Sequence, residues 1–417
     1  MVPKGWSSSQ LGEIMSFKNG LNFTKTDNGD SVKIVGVGDF KDLSELSSTE
    51  HLELISVAGR IRDEELLNNG DLLFVRSNGN KDLIGRCMFF PEVRERLSFS
   101  GFTIRGRVIN ESTLPAYMAI VARSSQFQMQ ISKASGGTNI SNLSQQILND
   151  INLLLPPLIE QKKIAEILST WDKAISVTEK LLTNSQQQKK ALMQQLLTGK
   201  KRLLDENGTR FSETWKLYAL SELFQRVTTK NNGKSNNVVT ISGQHGLIKQ
   251  EDFFKKTVAS DTLDGYFLLK KGQFAYNKSY SNGYPMGAIK RLNRYPEGVV
   301  TTLYICFELT TPKKSCGDYW EHYFESGLLN NSLSQIAHEG GRAHGLLNVK
   351  PSDFFSLKVA VPGFEEQQKI ASVLSAADTE ISTLEKKLAC LKDEKKALMQ
   401  QLLTGKRRVK VDEAVAV

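Results

Sequence analysis

The chain is poor in the residues that build metal or disulfide chemistry. Its four cysteines, Cys87, Cys306, Cys316 and Cys390, form no CxxC pair, and its five histidines show no metal-ligand spacing, so neither a zinc site nor a disulfide framework is expected. No stretch approaches 18 uninterrupted apolar residues, and MVPKGWSSSQ at the start has no apolar core of a signal peptide, which predicts no membrane span and a cytoplasmic protein. Low-complexity tracts are missing too. With 40% apolar and 24% charged residues, the 417-residue chain reads as globular, and its length calls for more than one core.

Catalytic motifs are equally scarce. SVKIVGVGDF (31–40) ends a strand in Gly-x-Gly, but Lys41 stands where a dinucleotide fold needs its third glycine, so a turn is the better reading. NNGKSNN (231–237) contains Gly-Lys-Ser, yet Thr228 falls where a P-loop needs its first glycine. LLLPPL (153–158) has the Pro-Pro of adenine methyltransferases without the Asn or Asp before it or the aromatic after it. His338 and His344 flank a Gly-Gly-Arg loop with no nucleophile or carboxylate repeated elsewhere in the chain. No catalytic residue and no metal ligand is assigned.

What the chain does have is a repeat. ALMQQLLTGK occurs at 191–200 and again at 397–406. Extended backwards at this offset of 206, residues 156–200 align with 362–406 without a gap, and 26 of the 45 positions are identical. In the first copy Ile164, Leu168, Trp171, Ile175, Leu182, Leu192 and Leu196 fall in alternating steps of three and four. In the second, Ile370, Leu374, Ile381, Leu384, Leu388, Leu391, Leu398 and Leu402 do the same, with Lys395 interrupting; Thr178, Ser185 and Lys189 weaken the first seam. This is the pattern of a coiled-coil helix. Prolines 156, 157 and 362 suit the helix starts, and Gly199 and Gly405, each followed by Lys and Arg, suit the ends. Each copy needs a partner for its apolar stripe, and the other copy is the obvious one.

Between the helices lie two segments of domain size, 1–155 and 204–361. They share landmarks: Trp6, Leu11 and Glu13 against Trp215, Leu220 and Glu222; NNGDLLFVRSNGNKDLIGR (68–86) against KKGQFAYNKSYSNGYPMGA (270–288); and SGGTNISNLS (135–144) against EGGRAHGLLN (339–348). SVKIVGVG, DLLFVRS, INLLLPP, VVTISG and FSLKVAVP read as strands. The expected fold is α+β: two globular mixed α/β domains separated by two long antiparallel coiled-coil helices, related by a pseudo-twofold repeat. The boundaries are 1–155, 156–203, 204–361 and 362–410, with a tail at 411–417.

Net charge is +9, which suits a polyanion partner, and it is spread: −1 over 1–155, +5 over 156–203, +4 over 204–361 and +1 over 362–417. The two polar loops are the candidate contacts. Arg76, Ser77, Asn78, Asn80 and Lys81 in one, and Lys278, Ser279, Tyr280, Asn282 and Tyr284 in the other, combine side chains able to meet base edges and phosphates. Solvated turns also favour Asn, Gly and Ser; two such loops at matching positions bring the two readings level. Thr138 and Asn139, with Arg342 and His344, are added from the Gly-Gly loops. The basic ends Lys200, Lys201, Arg202 and Lys406, Arg407, Arg408 are read as helix caps rather than as DNA contacts.

The order of elements resembles a specificity subunit of a type I restriction-modification system. The resemblance rests on PPLIEQKKIAEIL and VPGFEEQQKIASVL at the helix starts and ALMQQLLTGKKR and ALMQQLLTGKRR at their ends, and it covers essentially the whole chain. It implies two target recognition domains, each reading half of a bipartite site in double-stranded DNA, with the helices setting the unread spacer and docking methyltransferase subunits. It implies no chemistry on this chain. Two methyltransferase subunits and the restriction subunits would carry S-adenosylmethionine, ATP and Mg. The competing expectation is a coiled-coil scaffold joining two protein- or ligand-binding domains with no DNA role.

Overall fold

The computed structural model describes residues 2–40, 45–46, 48–134, 142–254, 262–311, 314–339 and 347–411. The chain divides into two compact units, Met1–Thr178 with Lys387–Val417, and Glu179–Lys386. The fold is α+β, and the same plan is laid down in each unit.

The first unit is built around a four-stranded antiparallel sheet ordered Met15–Asn19, Thr103–Val108, Asp71–Val75, Cys87–Phe90. Asp71–Val75 is buried at every position, as a continuous apolar run flanked by neighbours on both sides should be. Beside it, Leu54–Val57, Lys25–Val35 and Leu97–Phe99 form a second sheet, in which Val32–Val35 and Leu97–Phe99 supply core side chains. Ser7–Gln10 pairs with Asn152–Leu155, so the beginning and end of the segment close on each other.

The second unit repeats this order. Its four strands run Phe224–Arg226, Ile305–Leu309, Phe274–Asn277, Ala288–Arg291, all antiparallel, and Lys216–Ala219 pairs with Lys358–Val361. Its core is more aromatic: Phe224, Phe274, Phe307, Trp320 and Phe324 interlock at ring separations of 5.0 to 6.1 Å. Four of the five runs read as strands from sequence contain one here, at Asp71–Val75, Asn152–Leu155, Val239–Ser242 and Lys358–Val361, and SVKIVGVG overlaps the end of Lys25–Val35.

The repeated segments form two long helices, Leu158–Leu196 and Phe364–Leu403. At about 1.5 Å per residue each is about 60 Å long. Both start the same way. The Gln161 amide donates to the Pro156 carbonyl at 2.9 Å and accepts the Leu114 N–H at 2.8 Å; Gln367 donates to Pro362 at 3.0 Å and accepts Cys316 at 2.9 Å. Both also end the same way. Gly199 and Gly405 take φ of +70° and +68°, letting Lys201 N–H reach Gln195 O and Arg407 N–H reach Gln401 O, the closure of a left-handed glycine cap.

Within each unit the start of one helix lies antiparallel to the end of the other. In the first, Ile164 and Leu168 share a core with Leu402 and Leu403; in the second, Ile370 and Leu374 share one with Met193, Leu196 and Leu197. Trp171, Ile175, Leu182, Leu192, Ile381, Leu384, Leu388, Leu391 and Leu398 are half-buried along the same seam. The lysines that interrupt the pattern are paired. Lys395 meets Asp172 in the first unit, and Lys189 meets Asp378 in the second. Residues 189 and 395, like 172 and 378, are 206 apart, so the two ion pairs are one contact made twice with the partners exchanged. The apparent faults in the heptad pattern are thus charged pairs built into it.

Candidate nucleic-acid interface

The polar loops leave the same strand of the same sheet in each unit. Arg76 follows Asp71–Val75 and Lys278 follows Phe274–Asn277, one residue beyond the end of the strand in both cases. Each basic residue is fixed through its backbone by the segment that follows a Gly-Gly loop: Leu143 N–H donates to Arg76 O at 2.8 Å, and Leu347 N–H donates to Lys278 O at 3.0 Å. The structure therefore brings the start of each polar loop against a segment that the sequence places about 70 residues away, and does so twice. Thr138, Asn139, Arg342 and His344 lie outside the described residues.

In the first loop Asn78 and Asn80 turn their Oδ1 atoms onto the loop's own backbone, accepting Asn80 N–H at 2.8 Å and Asp82 N–H at 3.1 Å. The second caps the short turn Lys81–Leu83, which fixes where Lys81 leaves the surface. Arg76 and Ser77 both donate backbone N–H to Phe102 O, at 2.8 and 3.4 Å. The Asn amide nitrogens and the Ser77 hydroxyl are left as short polar groups on a held backbone.

In the second loop Ser279 N–H donates to Asn277 Oδ1 at 3.1 Å, and Ser281 and Tyr284 pair through their backbones across a turn in which Gly283 takes φ of +83°. Tyr280 and Asn282 stand out at the tip, with Tyr280 63% exposed. Tyr284 is different. Its hydroxyl contacts Gly243 O at 2.9 Å and Glu325 Oε1 at 2.5 Å, and Lys290 Nζ donates to it at 2.9 Å. Burial first, and then the Glu325 carboxylate, push this phenol well above its ordinary pKa, so it stays protonated. Tyr284 props the loop from inside the unit.

Lys278 is half-buried, with Nζ 3.4 Å from Val349 O. Burial lowers its pKa, and the neighbouring Arg226 adds to the effect. Arg226 ends the edge strand Phe224–Arg226 and is exposed. Two cations held side by side raise the local potential, which favours an anionic neighbour. The sequence reading missed Arg226, because 52 residues separate it from Lys278 and only the sheet order brings them together.

The helix ends carry a second duplicated cluster. Glu366, 2% exposed, accepts Arg202 Nε at 2.6 Å, Arg202 Nη2 at 2.7 Å and Trp215 Nε1 at 3.1 Å. In the first unit Glu160 accepts Arg408 and, at 3.3 Å, Trp6 Nε1, with the guanidinium 5.7 Å from the indole centre. Arg202 and Arg408, read from sequence as helix caps, instead have their guanidinium groups neutralised by these glutamates, and the backbone N–H groups of Lys201 and Arg407 close the helix ends.

Residues 3–184 match the type I restriction modification DNA specificity domain. Over its full length the chain is similar to specificity subunits of type I restriction enzymes. A putative type I restriction enzyme MjaX specificity subunit of Methanocaldococcus jannaschii is 26% identical, with 98% of this chain and 95% of that one covered. The EcoKI specificity subunit of Escherichia coli (strain K12) is 23% identical over 93% of this chain and 85% of its own length. Among solved structures, the HsdS subunit from Thermoanaerobacter tengcongensis superposes with a TM-score of 0.51 at 16% identity, covering 97% of this chain and 98% of that one. The specificity subunit from M. genitalium gives 0.55 at 13% identity, covering 95% and 96%. These two show that the fold is shared.

Proposed function

We propose that this chain is the DNA-reading, non-catalytic subunit of a type I restriction-modification complex, with residues 1–155 and 204–361 each reading one half of a bipartite site. The observation that carries the proposal is the duplicated interface. In two units of unlike sequence, a basic residue follows the same central strand and is pinned by the segment after a Gly-Gly loop. Such a scaffold keeps its backbone while its loop side chains vary, as two readers of different half-sites require.

The contacts proposed are Arg76, Ser77, Asn78, Asn80 and Lys81 with Thr138 and Asn139 for one half-site. For the other they are Lys278, Ser279, Tyr280, Asn282, Arg342 and His344, with Arg226 meeting backbone phosphate and Tyr284, counted with them from sequence, holding the loop from inside the unit instead. The two helices, each about 60 Å long, set the unread spacer, and their outward faces dock two methyltransferase subunits. Those partners carry S-adenosylmethionine and the methyl-transfer chemistry; restriction subunits with ATP and Mg join them.

The exchanged pairs Lys189–Asp378 and Lys395–Asp172 support this symmetry, because they give one polypeptide two equivalent faces for identical partners. The test is genome-wide adenine methylation in cells making the chain with its cognate methyltransferase. A two-part motif that disappears when the chain is deleted supports the proposal; methylation unaffected by the deletion rejects it.

A further inference from the structure

One feature beside the first polar loop belongs to no seam and no core. Phe102 is 59% exposed, although it stands on a turn whose backbone is tied on both sides of it. Gly101 N–H donates to Leu21 O at 2.8 Å, Thr103 N–H to Ser100 O at 2.9 Å, and the Phe102 carbonyl accepts Arg76 and Ser77. A large aromatic ring held in water by a fixed backbone is the unusual observation.

Phe102 lines a cleft of about 450 Å³ together with Gly36, Val37, Ser77, Asn78, Gly79 and Ser100. This is within the range that holds a small flat ligand. Gly36 and Gly79 add no side chain to the lining, and Ser77 and Asn78 add a hydroxyl and an amide to it. Ser100 lines the wall, and its buried Oγ has no hydrogen-bond partner among the described residues, a hydroxyl that rotation of the side chain would turn toward a polar group in the cleft.

We infer that this cleft takes a single nucleobase of the bound DNA, stacked on Phe102 with its polar edge toward Ser77, Asn78 and Ser100. An aromatic face supplies stacking that any base accepts, and hydroxyl and amide groups set beside it discriminate among bases. Arg76, which precedes Ser77 in the chain, meets the phosphate of that nucleotide. The inference rests on the proposed function and assigns a base-holding site to residues that no periodicity marks.

The test uses the complex of the full chain with its methyltransferase and duplexes carrying the motif mapped for the wild type. Single abasic positions are moved through the half-site read by residues 1–155, and binding is measured for wild type, Phe102→Ala, Phe102→Trp and Ser100→Ala. In the wild type one abasic position weakens binding about tenfold or more, the size of one lost stack. Phe102→Ala weakens binding to intact duplex by a similar factor, and the penalty at that position vanishes, since the two changes remove one contact. Phe102→Trp keeps both within about threefold, and Ser100→Ala lowers discrimination among bases there. An unchanged abasic profile in Phe102→Ala overturns the inference. If binding shows no dependence on sequence in any variant, the proposed function fails instead. Thermal melting of Phe102→Ala should match the wild type, because the ring contributes little to the core.

Discussion

Arg202 grips Glu366 through two parallel hydrogen bonds, Nε to Oε1 at 2.6 Å and Nη2 to Oε2 at 2.7 Å. The same arginine lies 5.8 Å from the centre of the Trp215 ring, whose N–H also meets Glu366. The end of one repeated helix is thus fastened to the start of the other through a nearly buried carboxylate. Removing one partner leaves an unpaired charge in the interior, a cost of about 3 kcal/mol or more. Glu366→Ala should lower the stability of the second unit by about that much in chemical denaturation. A loss below about 1 kcal/mol would show that the cluster is dispensable.

His322 gives the second unit a pH dependence. It is buried, with Nε2 3.0 Å from Ser375 Oγ, Nδ1 3.7 Å from Asp378, and Lys189 beside the same carboxylate. Burial lowers its pKa below the ordinary 6.5, against the opposing pull of Asp378. The unfolded chain therefore takes up a proton at a higher pH than the folded one. The contribution is fully present above about pH 6.5 and is lost as pH falls through and below that value. His322→Gln should flatten the stability profile between pH 6.5 and 5; a slope identical to wild type would assign the dependence to other groups.

Arg76 and Lys278 are predicted to act on different halves of the site. Replacing either with Ala should reduce affinity by about 1 to 3 kcal/mol if it reads a base. If it meets phosphate, the salt dependence of binding should fall by about one unit of slope with no change in motif. Binding titrations at several salt concentrations separate the two. Full affinity with an unchanged slope in both variants would remove these residues from the interface.

The helices should act as a ruler. Deleting seven residues between 178 and 188, with the seven at +206, shortens each helix by about 10 Å while preserving its heptad register. The mapped motif should keep both half-sites and lose part of its unread spacer. Altered half-sites with the spacing intact would contradict this.

What was legible in the sequence depended on whether the signal was local. The helix seam, the proline starts, the glycine caps and the central strands all announce themselves within a few residues. Lys189 and Lys395 read as interruptions because their meaning lies on the other helix, in Asp378 and Asp172. The Trp6–Glu160 contact spans 154 residues and leaves no trace in any window. Composition grouped Tyr284 with Tyr280, yet one hydroxyl is bound inside the unit and the other ring is exposed. Phe102 was invisible because a single aromatic outside any periodic pattern looks like ordinary core.

The most direct test of the central claim is to exchange residues 1–155 for the corresponding segment of a specificity subunit with a different site, and to map adenine methylation across the genome. The account predicts a motif in which one half changes while the other half and the spacer stay as they were. A motif that does not change, or one in which both halves change together, would contradict the assignment of one half-site to each recognition domain.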